Sequence, residues 1–177
     1  MTLKNTQYAW LLKETAPKIL LEMINIYGTL EVKGLGDNPL LLEWAKECGV
    51  ANIYTHDSIP WCALAMTLCA KRAGLPHATG YDALRAKLFS TWGTPQKNAM
   101  LGDVLMLERD GGYHVTMYVG EDAKNFYCLG GNQSDSVNIT PIEKGRIKAI
   151  RRSPGVFETR PVFLSSAGRV SNKGDFA

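Results

Sequence analysis

What this chain of 177 residues lacks narrows its function first. No apolar run approaches the roughly 20 residues that span a bilayer, and Met1-Thr2-Leu3-Lys4-Asn5-Thr6-Gln7 lacks the charged-then-apolar pattern of a signal peptide. The expectation is a protein made in the cytoplasm without a signal peptide and without stable membrane association. Cysteines at 48, 62, 69 and 128 show no CxxC spacing and histidines at 56, 77 and 114 no HExxH, which argues against a structural zinc site. Cys48, Cys69 and Cys128 read as buried small hydrophobes. There are no internal repeats and no low-complexity blocks. Basic residues are not interleaved with aromatics, so no nucleic-acid partner is expected. Residues 141–177 nevertheless hold eight Lys/Arg against three Asp/Glu, a basic C-terminal end best read as a solvated tail. With 45% hydrophobic and 21% charged residues, the chain can bury one ordinary core and is expected to form one domain, as a monomer.

The stretch around which the rest is organised is Asp57-Ser58-Ile59-Pro60-Trp61-Cys62-Ala63-Leu64-Ala65. Trp61, Leu64, Ala65, Leu68 and Cys69 fall at the spacing of a buried helical face. Asp57 or Ser58 can cap the start, and Pro60 suits the first turn. Lys71, Arg72, Gly74 and Pro76 mark the far end. Cys62 is therefore expected at a helix's positive pole, where free N–H groups favour a thiolate and should lower its pKa below roughly 8.5.

Upstream, Pro17 precedes a helix carrying Ile19, Leu20, Met23, Ile24 and Tyr27, ended by Gly28, and Asn38-Pro39 opens a second from Leu40 to Cys48. Residues 79–92 read as a third surface helix or a structured loop. The period then changes to that of strands: 103–108, 113–119, 126–131, 137–142 and 146–152, with His114, Thr116 and Tyr118 on one face and Val115, Met117 and Val119 on the other. The fold class is α+β, N-terminal helices packed on an antiparallel β-meander. Residues 1–16 read as an N-terminal extension, 17–154 as the domain and 155–177 as a C-terminal basic appendage. Its Ser165-Ser166, Gly168, Ser171-Asn172 and Gly174 lack periodicity, and Phe157, Val162, Phe163 and Leu164 can anchor its first half.

A nucleophilic thiol needs a base, and the base an orienting group. His114, at the start of a strand after a double-glycine turn, is the best base. If Val119 or Gly120 pairs with Phe126, the position opposite His114 is Gly131 or Asn132, about 5 Å away at Cβ. The side chain of Asn132 can then accept the Nδ1 proton and leave Nε2 facing Cys62. The catalytic set expected from sequence is thus Cys62, His114 and Asn132. Trp61, Asp57 and Tyr113, with Tyr54 and Tyr81, are the substrate-groove candidates, although the place of Trp61 in the buried stripe favours the core.

Trp61-Cys62-Ala63, Trp92-Gly93, Gly102-Asp103-Val104, Gly112-Tyr113-His114-Val115 and Leu129-Gly130-Gly131-Asn132-Gln133 together resemble the successive motifs of the NlpC/P60 and CHAP superfamily of papain-like cysteine hydrolases, most closely its LGGNQ subgroup. Glu31-Val32-Lys33-Gly34 to Asn38-Pro39 and Arg151-Arg152-Ser153-Pro154 extend the resemblance over about residues 17–154. It implies a papain-like fold and an enzyme that cuts peptidoglycan amide bonds, either between muramic acid and L-alanine or within the stem peptide. Cys62 would be nucleophile, His114 base and bacterial peptidoglycan the partner, with no cofactor or metal. Many relatives are phage endolysins, which reach the wall through a membrane pore. An injected antibacterial toxin, an inactive cell-wall-binding module and a thiol acyltransferase or deamidase share the resemblance. Some CHAP relatives carry a glutamate two residues before the asparagine; here that position is Gly130, which leaves the third role to Asn132.

Overall fold

Residues 2–156, 159–165 and 168–171 are described by a computed structural model. Pro17 precedes α1 (Lys18–Asn25), whose Ile19, Leu20, Met23 and Ile24 face inward. In α2 (Pro39–Glu47) the Asn38 side chain caps the start by accepting the Leu40 N–H at 2.9 Å, and Pro39 occupies the first turn, where its missing N–H costs nothing. The third helix, α3 (Cys62–Arg72), begins later than the capping signals suggest. Trp61 is its N-cap, without a side-chain cap bond, because the Asp57 carboxylate is taken by the Val32 and Asn38 N–H groups, each at 2.8 Å. Every residue from Cys62 to Ala70 is buried. The expected apolar stripe is therefore a helix enclosed on all sides, by α1, α2 and the sheet.

Residues 79–92 form two 3-10 turns, Gly80–Leu84 and Ala86–Ser90, which tuck Ala83, Ala86 and Phe89 inward. Six strands follow: β1 (Thr94–Pro95), β2 (Val104–Arg109), β3 (Gly112–Glu121), β4 (Asn125–Gly130), β5 (Asn138–Glu143) and β6 (Ile147–Arg152). They make one antiparallel sheet in the order β1-β6-β2-β3-β4-β5, so the fold is α+β. Strands β2 to β5 are the expected meander, but β6 crosses back to the free edge of β2.

That crossing fixes the shape of the sheet. On a flat sheet β5 and β6 would lie about 19 Å apart, four strand spacings. Only Lys144–Arg146 joins them, a reach of about 14 Å even if fully extended. The sheet must curl. Leu105, Leu107, Tyr118, Phe126, Cys128 and Ile142 fill the inside of the curl, while Val115, Met117 and Val119 pack against the helices.

Several motif residues hold the curl closed. Arg152 grips the buried Asp103 carboxylate through two 2.9 Å hydrogen bonds, tying the end of β6 to the start of β2. Arg151 donates to the carbonyls of Thr91, Trp92 and Gly93. Gly93, at φ 59°, lies so close to the Arg152 carbonyl that a Cβ there would meet its oxygen at 2.1 Å.

The two chain ends share the main core. Leu3, Tyr8 and Leu11 belong to it, as do Val162 and Leu164. Glu121 accepts the Leu164 N–H at 2.7 Å and donates its own N–H to the Val162 carbonyl at 2.8 Å. Residues 2–16 and 159–165 are thus arms packed on the same core. Phe157, Ser166, Asn172 and Gly174 lie outside the described residues.

Candidate active site

Cys62 is the first residue of α3 and is 3% exposed. Burial pushes its thiol pKa up; the backbone N–H of Val115, the charge of Arg109 and the N–H groups of Ala63 and Cys62 oppose that rise without overcoming it. The free N–H groups of the helix start are present as expected, but desolvation outweighs them, and the resting side chain is a neutral thiol. Cys48, Cys69 and Cys128 are buried as well, and all four cysteines are free. Exposure therefore does not single out Cys62 for alkylation. Cys48 is slightly more open at 7%, with its pKa pushed up to about 11 by burial.

The sulfur lies against the N–H of the residue after His114, which brings the start of β3 to the start of α3. His114 is itself buried, and burial lowers its pKa to about 4, with Arg109 and Arg146 adding to the effect and the Gln133 hydrogen bond opposing it. The imidazole is neutral. Its Nε2 lies 3.1 Å from Gln133 Oε1, and its buried Nδ1 has no hydrogen-bond partner.

The hydrogen bonds of Gln133 decide the tautomer. Its amide nitrogen donates to the carbonyls of Cys128 at 3.0 Å and Asn138 at 2.8 Å, with Asn138 Oδ1 at 3.2 Å. With both amide hydrogens committed, Oε1 must accept from His114, so the imidazole proton sits on Nε2 and Nδ1 carries the bare lone pair. Asn138 in turn donates to the Gln133 carbonyl and to Ser136 Oγ, and accepts from Thr140. The imidazole is thus held by a chain of side chains, each fixed by the next.

This assigns the orienting position to Gln133 and reverses the expected use of the ring nitrogens. The register Met117↔Leu129 does extrapolate to His114 opposite Asn132, but β4 ends at Gly130. Asn132 then takes a left-handed conformation at φ 56°, which ends the strand alternation, and the next residue delivers its side chain to the imidazole. Asn132 lines the cleft beside His114 without bonding to it. Gln133 stood in the motif and was legible as a polar residue just past a double glycine; what sequence could not supply was the turn between them. The turn packs directly on α3, since a Cβ on Gly131 would meet the Trp61 ring at 2.7 Å and Ala65 Cβ at 2.8 Å.

The groove candidates serve the scaffold. Trp61 is fully buried, edge-on to Trp44, with its indole N–H donated to Glu31 Oε2 at 3.0 Å. Asp57 is 2% exposed and organises the 30–38 loop through the two N–H groups it accepts. Tyr54 is buried and donates to the Asp57 carbonyl. Tyr113 is half-buried with Lys87 Nζ 5.1 Å from its ring centre, and Tyr81 is exposed. Among the described residues no group of three or more His, Cys, Asp or Glu is arranged to hold a metal ion, and no helix is long and apolar enough to cross a membrane.

No family model matches this sequence, and neither the curated proteins nor the solved structures contain a match to it.

Proposed function

We propose that the protein is a papain-like cysteine hydrolase of the NlpC/P60 and CHAP kind that cuts amide bonds in bacterial peptidoglycan. One observation carries the catalytic half of this reading: a neutral imidazole whose Nε2 proton is committed to Gln133 and whose bare, buried Nδ1 has no partner, on the residue before the Val115 N–H that lies against the thiol at the first residue of a helix. The wall as target rests on the motif series from Trp61-Cys62-Ala63 to Leu129-Gly130-Gly131-Asn132-Gln133, and an endolysin that acts after release through a pore is the setting that fits it.

The chemistry follows from the protonation states. As a substrate carbonyl approaches, Nδ1 takes the Cys62 proton and the sulfur attacks, with the resulting charge pair formed only in the reacting complex. The N–H groups of Cys62 and Ala63, at the unsatisfied start of α3, are placed to receive the oxyanion. The imidazolium then protonates the leaving amine; water, deprotonated by the same Nδ1, attacks the thioester carbonyl, the C–S bond breaks to free the carboxyl product, and the Cys62 sulfur takes the proton back from the ring. Gln133 holds the ring throughout and touches no reacting atom.

Purified sacculi with mass spectrometry of the soluble products test this directly. Wild-type protein releases fragments with one new amine and one new carboxylate or lactyl end, and Cys62→Ala lowers the rate by at least about 10³. Solubilisation at the wild-type rate by folded Cys62→Ala protein would overturn the reading.

A further inference from the structure

His114 and Gln133 form one wall of a cleft of about 200 Å³, and Arg109 and Arg146 form its rim. A second hollow shares both arginines and adds Glu108 and Asp110. Arg109 ends β2 and Arg146 sits in the turn linking β5 to β6, so the curl of the sheet is what brings them to one rim. Their state differs from that of the other arginines except Arg169, which lies on the C-terminal arm and does not line the cleft. Arg72, Arg85, Arg152 and Arg160 each pair with a carboxylate, and Arg151 is bonded to three carbonyls. Among the described residues Arg109 and Arg146 form neither an ion pair nor a side-chain hydrogen bond, although Glu108 and Asp110 border the same hollow. Two unneutralised guanidiniums thus face a concave surface that ends on the imidazole.

We infer that this cleft is a carboxylate subsite, in which Arg109 and Arg146 hold a free carboxylate of the peptide substrate next to the amide being cut. The inference rests on the proposed peptide hydrolysis, because carboxylates are the anions that a peptide brings to a catalytic histidine. Guanidinium forks match a carboxylate in geometry as well as charge. Both arginines also act on His114, lowering its pKa, and Arg109 acts on Cys62, so their charges reach the reacting groups. A bound carboxylate would offset them and make the imidazolium formed during reaction easier to reach. Selection for an acidic peptide and assistance to the proton transfer then come from the same two side chains.

The probe is L-alanyl-γ-D-glutamyl-L-lysine with its glutamyl α-carboxylate free, set against the same peptide as α-carboxamide. Calorimetry on Cys62→Ala protein should show the carboxylate form binding roughly tenfold more tightly, a modest factor because both arginines are solvent-exposed. The preference should fall in Arg109→Gln and in Arg146→Gln and vanish in the double variant, with circular dichroism confirming the fold. Equal affinity for the two peptides, or a preference that survives the double substitution, overturns the subsite. Competition by inorganic phosphate as strong as that by acetate at matched ionic strength would make it a general anion site and overturn the carboxylate assignment. Sacculus digestion by wild-type protein is scored separately. Digestion without carboxylate preference removes the subsite alone, whereas arginine-dependent binding without digestion supports the subsite and removes the hydrolytic reading.

Discussion

The two halves of the candidate site are built from different materials. On the helix side, Cys62 is surrounded by main chain: its own N–H, that of Ala63 and that of Val115. On the sheet side, His114 is held by side chains in series, Gln133, then Asn138, then Ser136 and Thr140. Main-chain donors survive every side-chain exchange short of proline, so among such exchanges the Cys62 half has one replaceable atom and should respond all or nothing. The base half should respond in grades.

In the proposed reaction His114 is the base, so His114→Ala should lower turnover on sacculi by about 10³, the upper part of the range for positioned proton transfer. Gln133→Ala should cost less, roughly 10 to 10², because the imidazole remains but loses the partner that fixes its tautomer. If Gln133→Ala matched His114→Ala in turnover while keeping its fold, the distinction between reacting group and orienting group would collapse.

The His114 half also carries a pH signature on the acid side, where the thiol half has none. Burial holds His114 near pKa 4 in the folded state, against 6.5 when solvated. The unfolded chain therefore takes up this proton first as pH falls. The stability due to the neutral imidazole is complete above pH 6.5 and is lost as the pH drops through 4, amounting to about 3 kcal/mol. Urea unfolding at pH 7 and pH 4 should show His114→Asn losing about that much less than wild type over the same interval. Parallel losses in the two proteins would mean that the histidine is solvated.

Asn132→Ala should have the smallest effect, within about twofold in turnover, since its side chain lines the cleft without holding the ring. A hundredfold loss would return the orienting role to Asn132.

The fold was largely legible in the sequence because its signals are local. Pro17, Asn38-Pro39 and the glycines after each helix mark the helices, and alternation marks five of the six strands. Two features were not. The return of β6 to β2 depends on the curl of the whole sheet, which no local pattern encodes. The exchange of Asn132 for Gln133 turns on one left-handed residue, and asparagine there is compatible with either conformation. The thiol's pKa was misjudged for a related reason. Helix position can be read from spacing, but the depth of burial that outweighs it is a property of the assembled core.

The packing of the two arms has a consequence for how the chain is made. Glu14 pairs with Arg160 across 146 positions of sequence, and Gly168 packs so closely on Tyr8 that a Cβ there would meet the ring at 2.8 Å. Residues around 8–14 are therefore covered by residues made about 150 positions later. At synthesis rates of about 5–20 residues per second, the interval between them is about 7–30 s, during which Tyr8 and Glu14 lack these late-made partners. A nascent chain stalled before residue 160 should expose the 3–14 segment to protease, and synthesis that carries residues 160–168 clear of the ribosome should protect it.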